Sequence, residues 1–257
     1  MFLKENCIAF VTMFRREITR IVRIWPQTLL PPVITMSLYF VIFGNLIGTR
    51  IGNMQGVSYI NYIAPGLIMM SIITNAYANT VSSFFGSKFQ KNIEEMLVAP
   101  ITDATIIFGY MSGGVFRGLV VGILVAIVSL LFIDLNIHRI LVTLLVAILT
   151  AVLFSLAGIL NGIFARKFDD ITIIPTFVLT PLTYLGGIFY SIDLLPSFWQ
   201  KATLVNPIFY MVNGFRYGIL GNSDVSINNV FIVLLIFIML LYFTCSRLIQ
   251  KGVGIRS

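Results

Sequence analysis

Six apolar stretches, each of 18 residues or more and free of aspartate and glutamate, constrain the fold of this chain more than anything else in it. They cover about 29–46, 59–84, 106–132, 140–164, 171–190 and 230–249. A run of about twenty apolar residues crosses a hydrocarbon core as a helix. In lipid the backbone has no water to bond, so such a run must be helical unless it closes into a barrel, and these runs lack the alternation of barrel strands. The expected fold is an all-α polytopic membrane protein of six transmembrane helices. Composition agrees: with 58% hydrophobic and 11% charged residues, the chain cannot cover a soluble surface. With no internal repeat or linker, one domain, 1–257, is expected.

The net charge of +7 is a topology signal rather than a nucleic-acid footprint, because the basic residues flank the apolar runs. Under alternating topology one side receives Lys4, Arg15, Arg16, Arg20, Arg23, Lys88, Lys91, Arg166, Lys167, Arg247, Lys251 and Arg256, twelve in all. The other receives four, Arg50, Arg139, Lys201 and Arg216, and Arg117 lies within a run. By the positive-inside rule both termini are cytosolic and the protein is multi-pass in a bacterial cytoplasmic (inner) membrane. The first thirty residues, with five basic side chains and no small-residue cleavage site, do not read as a removable leader.

Before the first run, Phe10, Phe14, Ile18, Ile21 and Trp25 share one helical arc and Arg15, Arg16, Arg20 and Arg23 the opposite one. An interfacial amphipathic helix over about 8–25 is expected, against the alternative of a disordered basic leader. Trp25-Pro26 then turns the chain toward the membrane, and Pro31 and Pro32 bend the first span. Residues 191–229 hold Pro196, Trp199, Pro207, Phe209, Tyr210 and Tyr217, too apolar for an ordinary loop. They are expected to form an outer re-entrant segment packed on the bundle, the alternative being a hairpin lying on the outer surface.

Chemistry-bearing motifs are sparse. No G-x-x-x-x-G-K-[ST] loop occurs, the nearest string being Gly86-Ser87-Lys88, so the chain is not expected to hydrolyse ATP or to be an enzyme. His138, Cys7 and Cys245 make no metal-ligand cluster, and neither a metal site nor a disulfide is expected. Arg117, the one charge within a span, is either a contact for an anionic substrate group or a snorkelling side chain about 6 Å below the inner interface. Gly109, Gly113, Gly114, Gly118 and Gly122, with Gly158 and Gly162 in the fourth span, are spaced for close helix packing. Span five carries Pro175, Pro181, Gly186 and Gly187, which mark a kinked helix that either lines a substrate pathway or is an ordinary proline kink. The loop 85–105 holds Glu94, Glu95, Met96, Leu97 and Val98 before Pro100, read as a short amphipathic helix with an apolar ridge.

The stretch PLTYLGGIFYSIDLLPSFWQKATLVNPIFYMVNGFRYGILG, 181–221, resembles the signature region of ABC-2 type transport permeases. The strings TLLPPVITMSLYFVIFGNLIG and APGLIMMSIITNAYANTVSSFFGSKFQKNIEEMLVAP agree with it in order. The resemblance implies a permease subunit of an ATP-driven exporter moving a lipid, glycan or drug-like substrate. It implies two permease chains, forming a homodimer, and two separate ATP-binding subunits that carry ATP and Mg, this chain binding no cofactor. It implies that loop 85–105 supplies a coupling helix docking through Glu94, Glu95, Leu97 and Pro100. A non-transporting membrane scaffold or assembly factor is the alternative.

Overall fold

The computed structural model describes residues 2–134 and 137–254. Arg256, counted above on the cytosolic side, lies outside the described residues. Helix α1, Phe2–Arg23, begins earlier than expected and ends at a turn on Ile24. Helix α2, Trp25–Ile51, follows with Pro26 in its first turn, where a missing N–H leaves no bond unmade. Pro31 and Pro32 lie inside it, and over Phe40–Ile47 it relaxes into π geometry. A two-residue hairpin, Asn53–Met54 with Val57–Ser58, turns the chain through Gln55 and Gly56, both at positive φ.

Helix α3, Tyr59–Phe89, is the axis of the molecule and is buried on nearly every side. Short α4, Asn92–Val98, hangs beneath it. Helices α5, Asp103–Ser129, and α6, Ile140–Phe164, pack on α3. Glycines set the close approach. A Cβ on Gly114 of α5 would lie 2.8 Å from the Ala76 carbonyl oxygen of α3, and one on Gly158 of α6 would lie 2.8 Å from the Tyr77 carbonyl oxygen. The expected small-residue seam is therefore used within the chain. Gly109 and Gly113 have a different neighbour: their missing Cβ atoms make room for Met13 and Glu17 of α1.

The expected helix over 171–190 is the main correction. Helix α7 covers only residues 170–184, interrupted by a π turn at Pro175–Leu179, and residues 185–190 are turn and bend. The cause is local. Pro175 and Pro181 have no N–H for the helix ladder, and Gly187 at φ 72° leaves helical geometry altogether. Beyond it come a single 3-10 turn at Ile192–Leu194, α8, Ser197–Val205, α9, Pro207–Leu220, and α10, Ile227–Lys251. Helix α9 is buried against α3, α6 and α10 through Ile208, Phe209, Met211 and Val212.

Among the described residues four helices, α2, α5, α6 and α10, are long and apolar enough to cross a membrane. Helix α3 has the length, at 31 residues, but spends its apolarity on Asn75, Asn79, Thr80, Ser83 and Ser87. The exposed face of α10 is Ile232, Leu235, Ile236, Met239, Leu240 and Phe243, and α6 exposes Leu141, Leu144, Leu145 and Ile148. Continuous apolar faces of this kind are stable against lipid and not against water. A large core cluster fills most of the bundle, and a second one at the α4 end joins Met13, Phe84, Ile93, Ile107, Tyr110 and Ile163.

Candidate functional site

The side of α3 that faces α1 and α5 carries a polar ladder at four-residue spacing, Asn75, Asn79 and Ser83. Each rung holds a charged residue of a neighbouring helix. Ser83 Oγ donates to Glu17 Oε1 at 2.6 Å, Asn79 Oδ1 accepts from an Arg20 Nη2 at 2.9 Å, and Asn75 Oδ1 accepts from Arg117 Nη2 at 3.2 Å. Glu17 is only 1% exposed and pairs with Arg20 at 2.9 Å and Arg16 at 3.4 Å. Arg16 also lies over the Tyr110 ring, 5.3 Å from its centroid.

Arg117 does not run to the interface along its own helix. Its guanidinium turns inward, bonding the Thr28 carbonyl of α2 at 3.2 Å as well as Asn75, and so ties α5 to α2 and α3. The wheel drawn from sequence also needs correction. The buried line of α1 is Met13, Glu17 and Ile21, Phe10, Phe14 and Ile18 are half-buried, and Trp25 is exposed. Arg15 and Arg23 stay on the open side, in a groove of about 620 Å³ that Arg16 and Arg20 also line.

At the α4 end, Ile93 is buried and Met96 and Leu97 pack against the second core cluster. Leu97 thus anchors α4 instead of standing on an exposed ridge, and Val98, 87% exposed, takes the outward place with Glu95 and Pro100. Glu94 lines a cleft of about 640 Å³ with Lys88, Lys91, Phe89 and Arg166. Lys88 closes the end of α6 by donating to the carbonyls of Ile163 at 2.6 Å and Ala165 at 2.5 Å, the groups a helix C-terminus leaves unpaired. Asp170 opens α7 by accepting from the Arg166 and Lys167 amides at 2.8 and 3.0 Å, which holds its carboxyl below the usual carboxylate value.

The residues expected in a pathway with Arg117 are not gathered around it. Pro175 starts the π turn, Pro181 is exposed, Gly186 packs on Ile208, and the Gly187 carbonyl accepts from Arg216 Nη2 at 2.6 Å. Arg216, counted above on the outer side within the segment expected to pack on the bundle, is 0% exposed, 3.9 Å from the Tyr62 ring centroid and 4.0 Å from Asp224. Sequence reasoning missed Glu17, Arg216 and the ladder. The spacing of 75, 79 and 83 was visible, but within a run read for its apolarity the polar face has no partner until the fold supplies one.

A family model described as ABC-2 type transporter matches residues 8–220. The chain is 61% identical over 250 residues to the inner membrane transport permease YadH of Escherichia coli (strain K12), covering 97% of this chain and 98% of that protein. It is 26% identical over 215 residues to nodulation protein J of Rhizobium leguminosarum bv. viciae, covering 83% of each. The lipid-facing helices and the intramolecular glycine seam suit a membrane-embedded permease, and the chain belongs to the ABC-2 type transporter family.

Proposed function

We propose that the chain is the membrane-spanning subunit of an ATP-driven exporter, working as a homodimer with two copies of a separate ATP-binding subunit. ATP and Mg are held by that partner, since this chain has no phosphate loop and is not itself an enzyme. The observation that carries the reading is α4. It is a seven-residue helix fixed from above by Ile93, Met96 and Leu97 and presenting Glu95, Val98 and Pro100 outward. A short, rigidly seated helix with an outward apolar tip is suited to dock in a groove and pass its movement to α3.

Six spans, α2, α3, α5, α6, α7 and α10, put both termini with α4 on the cytosolic side, where Lys88, Lys91 and Arg166 also gather. Helix α7, about 22 Å long at 1.5 Å per residue, falls short of a core of about 30 Å. The turn at 185–190 and buried α9 complete that crossing, so the outer segment 191–229 re-enters the outer leaflet where protein covers its free backbone groups. A lipid, glycan or drug-like substrate fits an exporter of this kind.

Purification of the tagged chain in mild detergent tests the assignment through Val98→Asp, which leaves the α4 anchor intact. Wild type is expected to bring down a P-loop ATPase, and the variant at least about tenfold less of it, because the added carboxylate is desolvated in the docking groove. Equal recovery removes α4 from the coupling role. A wild-type chain that recovers no ATPase leaves the scaffold reading in its place.

A further inference from the structure

Three hydrogen-bond donors along the polar ladder, Arg20 Nε, Asn79 Nδ2 and Arg117 Nε, are buried and have no acceptor among the described residues. They come from α1, α3 and α5, and all are donors. The charge balance has the same sign. Glu17 pairs with both Arg16 and Arg20, and Arg117, bonded to the Thr28 carbonyl and Asn75, has no carboxylate partner among the described residues. Unpaired donors and uncompensated cations are costly inside a bilayer, and a single polyatomic anion relieves both.

We propose that this junction binds a phosphate group, that of an anionic lipid headgroup, gripped by Arg20, Asn79 and Arg117. A tetrahedral oxyanion offers acceptors in several directions, as donors arriving from three helices require. Of the three, Arg20 reaches the surface: with Arg16 it lines both the basic groove that holds Arg15 and Arg23 and a second cleft of about 260 Å³ beside Glu17 and Ser83, and it bonds Asn79, which lines neither. The lipid source rests on the proposed orientation, in which α1 lies at the inner leaflet among anionic headgroups.

The purified chain without any ATPase serves for the test, so that failure here leaves the permease reading standing and failure of that reading leaves this one measurable. Thermal stability in phosphatidylcholine nanodiscs is followed against added phosphatidic acid and, separately, against inorganic phosphate. Wild type is expected to show a saturable rise with phosphatidic acid at concentrations where inorganic phosphate gives none. Asn79→Asp keeps the acceptor for Arg20 and places a carboxylate where the anion would sit. It is expected to melt at a higher temperature than wild type without lipid and to need at least about tenfold more phosphatidic acid for the same rise. Should that variant fold poorly, Asn75→Asp places the same charge one turn away, beside Arg117. A response to inorganic phosphate that Asn79→Asp abolishes supports the anion site and assigns it to a soluble ligand. No saturable response in either arm, or one that both variants leave unchanged, overturns the proposal.

Discussion

Two points along α3, one near its start at Tyr62 and one near its middle at Asn75, each hold an arginine, and they are finished differently. Near Tyr62, Arg216 spends its donors on the Gly187 carbonyl, the Tyr62 carbonyl and Asn213, lies against the Tyr62 ring, and has Asp224 at 4.0 Å. Near Asn75 and Asn79, Arg117 and Arg20 each keep one buried donor without an acceptor. A saturated buried cation is a structural clamp. An unsaturated one, in a cluster with surplus positive charge, is a place for something outside the chain.

The comparison breaks most readily at Arg216. Replacing it by methionine leaves Asp224, 4% exposed, as an unpaired buried charge and frees the Gly187 carbonyl that fixes the end of α7. A loss of about 3–5 kcal/mol is expected, read as a large fall in melting temperature or loss of monodisperse protein. A variant that melts like wild type would mean that Arg216 is no clamp.

Arg117→Met sharpens the same comparison with a smaller effect. It removes two bonds, to Thr28 and Asn75, and also removes a donor that had no acceptor. The expected cost is about 1–2 kcal/mol in melting experiments without anionic lipid. A cost matching that of Arg216→Met would erase the distinction between the two arginines.

The helical plan was legible because lipid imposes it: long apolar runs have one way to satisfy their backbone, and the run at 140–164 became Ile140–Phe164 without change. Glycine spacing predicted close packing for the same reason of steric necessity, and Gly114 and Gly158 lie where it expects them. Ends and breaks were less legible. Apolarity does not record the π turn at Pro175–Leu179 or the loss of helix after Tyr184, which depend on which carbonyls proline frees and what then takes them. The polar site was the least legible part. Counting Arg216 on the outer side says nothing of its burial, and Glu17 was passed over among four arginines. Both are buried because residues distant in sequence, Gly187 and Tyr62 for one and Ser83 and Gly113 for the other, close around them.

The coupling helix and the phosphate site both require that the α4 end face the cytosol and the Arg216 end the exterior. Single cysteines in a chain lacking Cys7 and Cys245 test this directly with a membrane-impermeant thiol reagent on intact cells. Glu95 and Arg166 serve for one end and Asn53 and Asn222 for the other, all four being exposed. Labelling at Asn53 and Asn222, with protection at Glu95 and Arg166 until the cells are opened, is the predicted result. Labelling of Glu95 or Arg166 in sealed cells would contradict it.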